Sequence, residues 1–544
     1  MYEISVIYDK NNKHVAVELK NGDKVEVVPV NKLNLPIKGV SRCYDGTLRF
    51  PASIPRVEVN TVHYSLYTGK ALESYVKNNL NSGYRCRNIV KDITAYLNSN
   101  EKRIFGVHGL RGTGKTIAML QAIADDNDYD ETVLIILNKP GITVTKIIEV
   151  LSILENKRKV FIDEISFATN FVTDSAWLAD NLSCTGVRVV LSGTDSLVMS
   201  LAIKHALYHR LILKATTFTG YSEANYVQGV DFDTYLATGG MFEPTRIKDM
   251  DGLVHYVDTA ILNNIVNTFK RNHGVSDWGD VCALSGRELR TLLFRTMYMI
   301  IFKNIGGLGT KDTRLSWYIN RYEYDMEFKE LQDNVLSQLD IEEHIVVSED
   351  TIRQLLTILI NMGIIIAIPN YAKMSDINYY FTNSAITIQL SRVVVKAIEQ
   401  NNVSRKAGYN LKSVRGLVFE SVVMVHLHKK HSDKQLYFYR DKNDVEVDIV
   451  VADENSFDEE NKYWLYETKY TDDVDTAVVK TRWLNDTKIH DVFQCVQTKQ
   501  IVYRGKTGLF NGFTSPVYTN GEDMNCIEVK NKGMQLTNVI EIIC

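Results

Sequence analysis

Two sets of residues in this 544-residue chain have the types and spacing for chemistry on phosphates. The first is Gly109-Leu110-Arg111-Gly112-Thr113-Gly114-Lys115-Thr116, a GxxxxGK[ST] loop. Its glycines let the backbone curl until successive N–H groups face a phosphate chain. The helix that follows adds the positive end of its dipole. Lys115 supplies a point charge for the β- and γ-phosphates, and the Thr116 hydroxyl is suited to Mg2+. Nucleotide contacts are therefore expected from Gly109, Gly112, Thr113, Gly114, Lys115 and Thr116. Asp163-Glu164 arrives 48 residues after Lys115, at the end of the apolar run Val160-Phe161-Ile162. Asp163 is expected to hold Mg2+, directly or through water, and Glu164 to polarise the water that attacks the γ-phosphate. Ser192 and Thr194 follow a further apolar run; their hydroxyls either sense the γ-phosphate or cap a turn. These residues together predict ATP and Mg2+ as cofactors.

The second set is Glu420, Asp448, Glu467 and Lys469. Val445-Glu-Val-Asp-Ile-Val-Val451 and Tyr463-Trp-Leu-Tyr-Glu-Thr-Lys-Tyr470 read as strands. Residues two apart on a strand face the same side, so Glu467 and Lys469 enter one site. Asp448 on the neighbouring strand completes a PD-(D/E)xK arrangement. Asp448 and Glu467 suit a hard cation such as Mg2+, with Glu420, from the helix Gly416–Leu427, as a further ligand. Lys469 would position a nucleophile or balance charge. The alternative is an ion-paired surface strand, and an acidic insertion at Asp453–Glu460 would repel a nucleic acid strand lying close by.

The elements that must position these residues can be read in turn. Residues 1–62 alternate as strands, with Asn21-Gly22 as a hairpin signal, and form a small β module that is a structural cap or a partner surface. Helical spacing covers Gly69 to Leu97. Apolar strands at Arg103–His108, Thr132–Leu137, Arg158–Glu164, Gly186–Gly193 and Leu211–Lys214 alternate with helices, which predicts a parallel sheet buried on both faces. Residues 63–217 form that core, and 218–305 are mostly helical, with Tyr256–Phe269 and Glu288–Phe302 as helices and Gly239-Gly240 as a turn. Residues 306–400 contain a helix at Met326–Leu339 and a second one N-capped by Ser348. Gly363 ends that second helix, and strands are expected at Ile364–Ile368 and Tyr379–Thr382. Residues 401–544 hold the second site, with a later strand at Gln500–Gly505, turns at Gly508 and Gly512, and closing elements at Ile527–Val529 and Leu536–Ile543.

The loop, the strand ending in Asp-Glu, Ser192-Gly-Thr194 and Tyr235-Leu-Ala-Thr-Gly-Gly-Met-Phe242 resemble the bacterial and archaeal AAA-type ATPases. The resemblance implies a multidomain α/β protein: an ASCE/AAA-type P-loop sheet, a helical lid, a winged helix and a restriction-endonuclease-like domain, here preceded by the β module. It implies the same four roles for Glu420, Asp448, Glu467 and Lys469. It also matches Arg210 to a family arginine near the phosphates, acting in cis or from a neighbouring subunit; a surface or ion-paired arginine is the other reading. Arg353, Gln354, Thr357 and Asn361 on the outer side of the winged-helix candidate carry one positive charge, too little for phosphate-dominated DNA binding. A structural or protein-contacting winged helix is therefore favoured.

Composition narrows the rest. A net charge of −4 excludes a global field drawing the chain to nucleic acid. Seven cysteines without a CxxC pair argue against a disulfide framework and against zinc. With no signal-like start and no apolar run long enough for a bilayer, a cytoplasmic protein with no membrane partner is expected. The expected function is ATP binding and hydrolysis whose nucleotide state regulates a Mg2+-dependent nuclease-like domain acting on DNA or RNA. The alternative is an ATP-dependent switch with a non-catalytic nuclease-like domain. Expected partners are ATP, DNA or RNA, proteins docking on the N-terminal module or winged helix, and further copies of the chain.

Overall fold

The computed structural model describes residues 63–80, 85–152, 157–183, 186–194, 210–216, 218–241, 284–304, 348–400, 414–441, 445–454, 461–471, 487–493, 495–504, 508–510 and 534–539, with a few isolated positions besides. Of residues 1–62 it describes the backbone of the strands. The chain divides into two units. The first holds Met1–Thr219, Tyr226–Gly229 and Met241–Glu243, and the second holds Gly220–Asn225, Val230–Gly240 and Pro244–Cys544.

The first unit begins with β1 (Glu3–Tyr8), β2 (His14–Asn21), β3 (Lys24–Pro29), β4 (Ser41–Arg42), β5 (Leu48–Pro51), β6 (Arg56–Asn60) and β7 (Tyr64–Thr68). Then come α1 (Gly69–Asn79), α2 (Asn88–Leu97), β8 (Ile104–His108), α3 (Lys115–Asp126), β9 (Thr132–Leu137) and α4 (Val144–Ser152). It closes with β10 (Leu154–Glu155), β11 (Lys159–Asp163), α5 (Phe171–Ser183), β12 (Arg188–Gly193) and β13 (Leu211–Ala215). Strands β13, β8, β12, β11 and β9 lie side by side in that order, all parallel. Every residue of β8 is buried, as the unbroken apolar runs require of a sheet covered on both faces. Leu72, Val76, Ile93, Met119, Ile123 and Phe161 join one core beside it. Each such side chain contributes about 1.5–3 kcal/mol on burial.

The sheet continues past the parallel core. β7 pairs antiparallel with β9, Leu66 opposite Ile135, and on its other side with β6. β6 pairs parallel with β1, and β1, β2 and β3 follow antiparallel, with Asn21 opposite Lys24 at the expected hairpin. Main-chain bonding thus runs through the division expected at residue 62. The strand responsible, Tyr64-Ser-Leu-Tyr-Thr68, alternates buried and half-buried residues but follows directly on the β module and leads directly into a helix. The helical spacing of Gly69 to Leu97 resolves into α1 and α2.

Helix α6 (Tyr221–Gln228) carries the boundary between the units. The second unit continues with α7 (Phe232–Thr238), α8 (Gly286–Asn304), α9 (Glu349–Asn361), β14 (Ile365–Asn370), β15 (Lys373–Phe381), α10 (Ser384–Gln400) and α11 (Val414–Lys430). Next are β16 (Gln435–Arg440), β17 (Glu446–Asp453), β18 (Lys462–Thr468), α12 (Thr487–Val492), β19 (Val496–Tyr503), β20 (Gly508–Phe510) and β21 (Met534–Asn538). Gly239 closes α7 at φ +62°, and a Cβ there would strike Asn383, whose amide donates to the Gly239 carbonyl at 3.1 Å. Ser348 caps α9 by accepting from the Thr351 N–H at 3.0 Å.

The strand order here is β15-β14-β16-β17-β18-β19-β21-β20. The β14–β15 hairpin, longer than the two strands expected, joins β16 through a parallel bridge between Asn370 and Phe438. Its tip is held in place: the Tyr371 N–H donates to the Phe438 carbonyl at 2.8 Å, and the Tyr371 ring packs among Tyr437, Tyr463 and Phe493. Lys303 of α8 forms a buried ion pair with Asp376 of β15 at 3.0 Å. Gly508 opens the short strand β20 paired with β21, where a turn was expected. Met326–Leu339, most of Tyr256–Phe269, Gly512 and Ile527–Val529 lie outside the described residues, as does 455–460 of the acidic insertion.

Candidate functional site

The first site forms where β8, β12 and β11 end together, because β12 lies between the other two in a parallel sheet. Gly112 and Gly114 both take φ +80°, the left-handed conformation that glycine alone adopts without strain. Gly114 is the N-cap of α3, so Lys115 begins the helix. The Lys115 ammonium is buried and donates to the carbonyls of Gly109 and Leu110 at 3.0 and 2.9 Å. Thr116 Oγ1 donates to Asp163 Oδ2 at 2.7 Å. The other Asp163 oxygen accepts from the Ser192 hydroxyl and from the Glu164 N–H. Glu164 Oε2 accepts from the Thr194 N–H at 3.2 Å and from Thr194 Oγ1 at 2.8 Å. The hydroxyls of Ser192 and Thr194 therefore go to the two acids.

Glu164 has φ +57°, in the left-handed region where a carboxylate residue is uncommon. Burial lowers the Lys115 pKa, countered by the charges of Glu164 and Asp163. Burial and the neighbouring Asp163 raise the Glu164 pKa, against the pull of Lys115 and the Thr194 donors. The Thr116 hydroxyl and Asp163 carboxylate meet as hard oxygen donors, so this pair fits Mg2+.

Arg87, just ahead of α2, carries no motif and was not anticipated. Its buried guanidinium donates to the Thr113 carbonyl and, at 3.1 Å, to Thr219 Oγ1. Arg210, by contrast, sits at the opposite end of the sheet. Its carbonyl accepts from the Ile104 N–H, where β8 begins, and β8 must run about 16 Å, at about 3.3 Å per residue, before the loop starts. The Arg210 side chain pairs with Asp180 of α5. Within the chain the structure does not bring Arg210 to the phosphate loop, because a parallel strand enters the sheet at the end away from the site.

The second site rests on register. Ile449 lies opposite Tyr466, so Asp448 comes alongside Glu467. Asp448 Oδ2 accepts from both the N–H and the hydroxyl of Thr468, each at 2.8 Å, and Lys469 pairs with Glu467. Lys469 lies one residue beyond the end of β18. Burial and the charge of Asp448 push Glu467 up to about 8, although Lys469 pulls it down. Two buried carboxylates that repel each other suit a divalent cation between them. Glu420 is placed differently: it accepts from the Tyr380 hydroxyl at 3.1 Å and lies near Arg440, which pairs with Glu446 at 2.6 Å. Among the described residues no group of three or more His, Cys, Asp or Glu is arranged to hold a metal ion. Glu420 thus does not join Asp448 and Glu467 in one ligand set.

On α9 the outward residues include Glu349, Asp350, Arg353, Thr357, Ile360 and Asn361. Arg353 is paired with Asp350 at 3.1 Å and with Glu349 at 3.5 Å, so its single positive charge is already met. No described helix is long and apolar enough to cross a membrane.

Against known proteins, residues 415–510 match a domain of unknown function, DUF4143. No curated protein matches. The S. cerevisiae Hsp104-ADP complex is 14% identical over 66% of this chain and 57% of its own, with a TM-score of 0.24. C. elegans PCH-2 is 15% identical over 44% of this chain and 71% of its own, at 0.22. The Aeropyrum pernix ORC1 protein, solved in complex with DNA, is 13% identical over 61% and 94%, also at 0.22. The chain spans 57% of the length of the Hsp104 chain, and TM-scores this low carry no weight. Residues 101–222, however, match an AAA domain. Together with the parallel sheet and the loop at its strand ends, that match makes this region a P-loop domain of AAA type.

Proposed function

We propose that the chain binds ATP with Mg2+ at Gly109–Thr116 and hydrolyses it with Glu164 as general base. The observation that carries this is the convergence of Thr116, Asp163, Glu164, Ser192 and Thr194 on one spot beside Lys115. Lys115 and the loop N–H groups bind the phosphates, and Thr116 and Asp163 would hold Mg2+. Bound there, Mg2+ would neutralise charge on the β- and γ-phosphates. Glu164, steadied by Thr194 and by its left-handed backbone, accepts a proton from the attacking water; its raised pKa brings it closer to the working pH of a base. Ser192 keeps Asp163 turned toward Thr116. The nucleotide state in turn regulates the second unit. Phosphate release from ATP tests the reading: wild type turns over, whereas Lys115→Ala and Glu164→Gln do not. Turnover that survives in both variants overturns it.

A second activity is favoured by one specific observation, the meeting of Asp448, Glu467 and Lys469. In this reading the second unit is a Mg2+-dependent nuclease-like domain acting on DNA or RNA. Asp448 and Glu467 would hold the cation, and Lys469 balances charge on the phosphate being cut. Helix α9 and its hairpin form a structural winged helix, a role supported by the met charge of Arg353 and the anchored Tyr371. Incubation of single- and double-stranded DNA and RNA with Mg2+ or Mn2+, with and without ATP, tests it. Cutting that disappears in Glu467→Ala supports a nuclease; no cutting with ATPase intact leaves a nucleotide switch acting on protein partners.

A further inference from the structure

The buried guanidinium of Arg87 grips the phosphate loop at one defined peptide. Its Nη1 donates to the carbonyl of Thr113, the residue between the two left-handed glycines Gly112 and Gly114. In a trans peptide the C=O and the next N–H point in opposite directions. Holding the Thr113 carbonyl outward therefore turns the Gly114 N–H toward the inside of the loop. Flanking glycines supply little stiffness of their own, so side-chain bonds to Thr113 must supply the hold. The other groups of Thr113 are also tied down. Its hydroxyl donates to the Leu110 carbonyl at 2.9 Å and lies 3.2 Å from Thr216 Oγ1. Thr216 donates through its N–H and its hydroxyl to the His108 carbonyl, at 2.6 and 3.0 Å.

The second guanidinium nitrogen of Arg87 is bonded to Thr219 Oγ1. Thr219 is the residue at which the chain leaves the first unit for Gly220 of the second. One buried cation thus bridges the phosphate loop and the exit segment Thr216–Thr219. A surface arginine in the same stretch, Arg85, offers a contrast: it is exposed and lies over the Tyr226 ring.

We propose that Arg87 is a positioning residue of the nucleotide site: it fixes the Thr113–Gly114 peptide so that the Gly114 N–H faces the phosphates, and it ties that peptide to the segment leading into the second unit. The proposal rests on the nucleotide-binding reading above. It predicts that phosphate on the loop and order in Thr216–Thr219 are linked through one side chain, because a shift of the Thr113 carbonyl changes what Arg87 offers to Thr219.

The test uses the full chain and three variants, Arg87→Gln, Arg87→Lys and Thr219→Val. Amide exchange is followed over 109–118 and 214–220 without nucleotide and with MgADP, and the MgADP dissociation constant is titrated. Loss of a buried hydrogen bond to a charged group predicts about tenfold weaker MgADP binding in Arg87→Gln, with faster exchange in both segments. Arg87→Lys recovers part of the affinity by keeping the charge. Thr219→Val keeps the grip on Thr113, so it frees the exit segment, leaves the loop protected and abolishes the protection that MgADP gives to 214–220. If Arg87→Gln does not fold, Arg87→Lys and Thr219→Val decide alone: unchanged exchange over both segments in these two overturns the proposal. Arg87 variants with wild-type exchange in the loop overturn it whatever wild type binds. Wild type that binds no MgADP overturns the underlying nucleotide reading instead, and with it the phosphate-facing role of Arg87.

Discussion

The two candidate sites are built from similar residues but held by different means. At the loop, backbone geometry and hydrogen bonds both converge: glycines at φ +80°, Glu164 at φ +57°, and five hydroxyl or amide donors on two carboxylates. In the second unit strand register brings Asp448 and Glu467 together, Thr468 and Lys469 bond to them, and the fourth expected residue, Glu420, accepts from Tyr380. The difference teaches that a motif which includes its own backbone requirement specifies a place, whereas a set of carboxylates on strands specifies only a face. It also separates two kinds of buried acid. Glu164 has Lys115 and two Thr194 donors to share its charge, while Glu467 faces Asp448 with Lys469 as its ion-pair partner.

This comparison can be broken in several ways, beginning with the largest effect. Glu164→Gln should lower ATP turnover by about 10²–10⁴-fold, as expected for loss of a general base, with ATP binding retained. Steady-state turnover together with equilibrium binding checks it, and a fall in binding equal to the fall in turnover would remove Glu164 from the chemistry. Next is Thr194→Val, which takes one of two donors from Glu164 and should cost about tenfold in turnover, with Thr194→Ser restoring it. Equal rates for Val and wild type would mean that Thr194 does not orient the base.

The third effect is a pH dependence of stability in the second unit. Glu467 is raised in the folded protein to about 8, so its contribution to stability is fully present below the ordinary carboxylate range and is lost as pH rises through about 8. Glu467→Gln cannot ionise. In metal-free buffer with chelator, its melting temperature relative to wild type should therefore increase by several degrees, roughly 2–4 °C per kcal/mol, from pH 5 to pH 9. A constant difference across that range would show that Glu467 is not perturbed. The smallest effect is Arg353→Ala, whose charge is already paired on an exposed helix face. It should leave stability within about 0.5 kcal/mol and nucleic-acid affinity unchanged. A large loss of affinity would restore α9 as a nucleic-acid reader.

Much of the first site was legible in the sequence because glycine spacing, a following helix and an acid at a strand end are local properties. Gly109–Thr116, Asp163, Glu164, Ser192 and Thr194 needed only a parallel sheet to meet, and the alternation of apolar strands with helices predicted one. Arg87 was not legible, because nothing near it in sequence says that it will be buried beneath Thr113. Arg210 stands away from the phosphate loop of its own chain because it precedes β13, and a parallel strand enters the sheet at the end opposite the site. Strand β7 was not read from the sequence, and its pairing with both β6 and β9 is set by partners that local patterning does not name. The hairpin tip shows the same limit. Strands were expected at Ile364–Ile368 and Tyr379–Thr382, and the place of Tyr371 beside Phe438 and Phe493 depends on residues more than sixty positions away.

The most direct test of the account is titration of ATP with Mg2+ into wild type, Glu164→Gln and Lys115→Ala. Lys115 is the charge buried in the loop, so the account predicts one nucleotide bound by wild type and by Glu164→Gln. It predicts affinity weaker by about a hundredfold in Lys115→Ala. Equal binding by all three proteins, or binding by none, would contradict it.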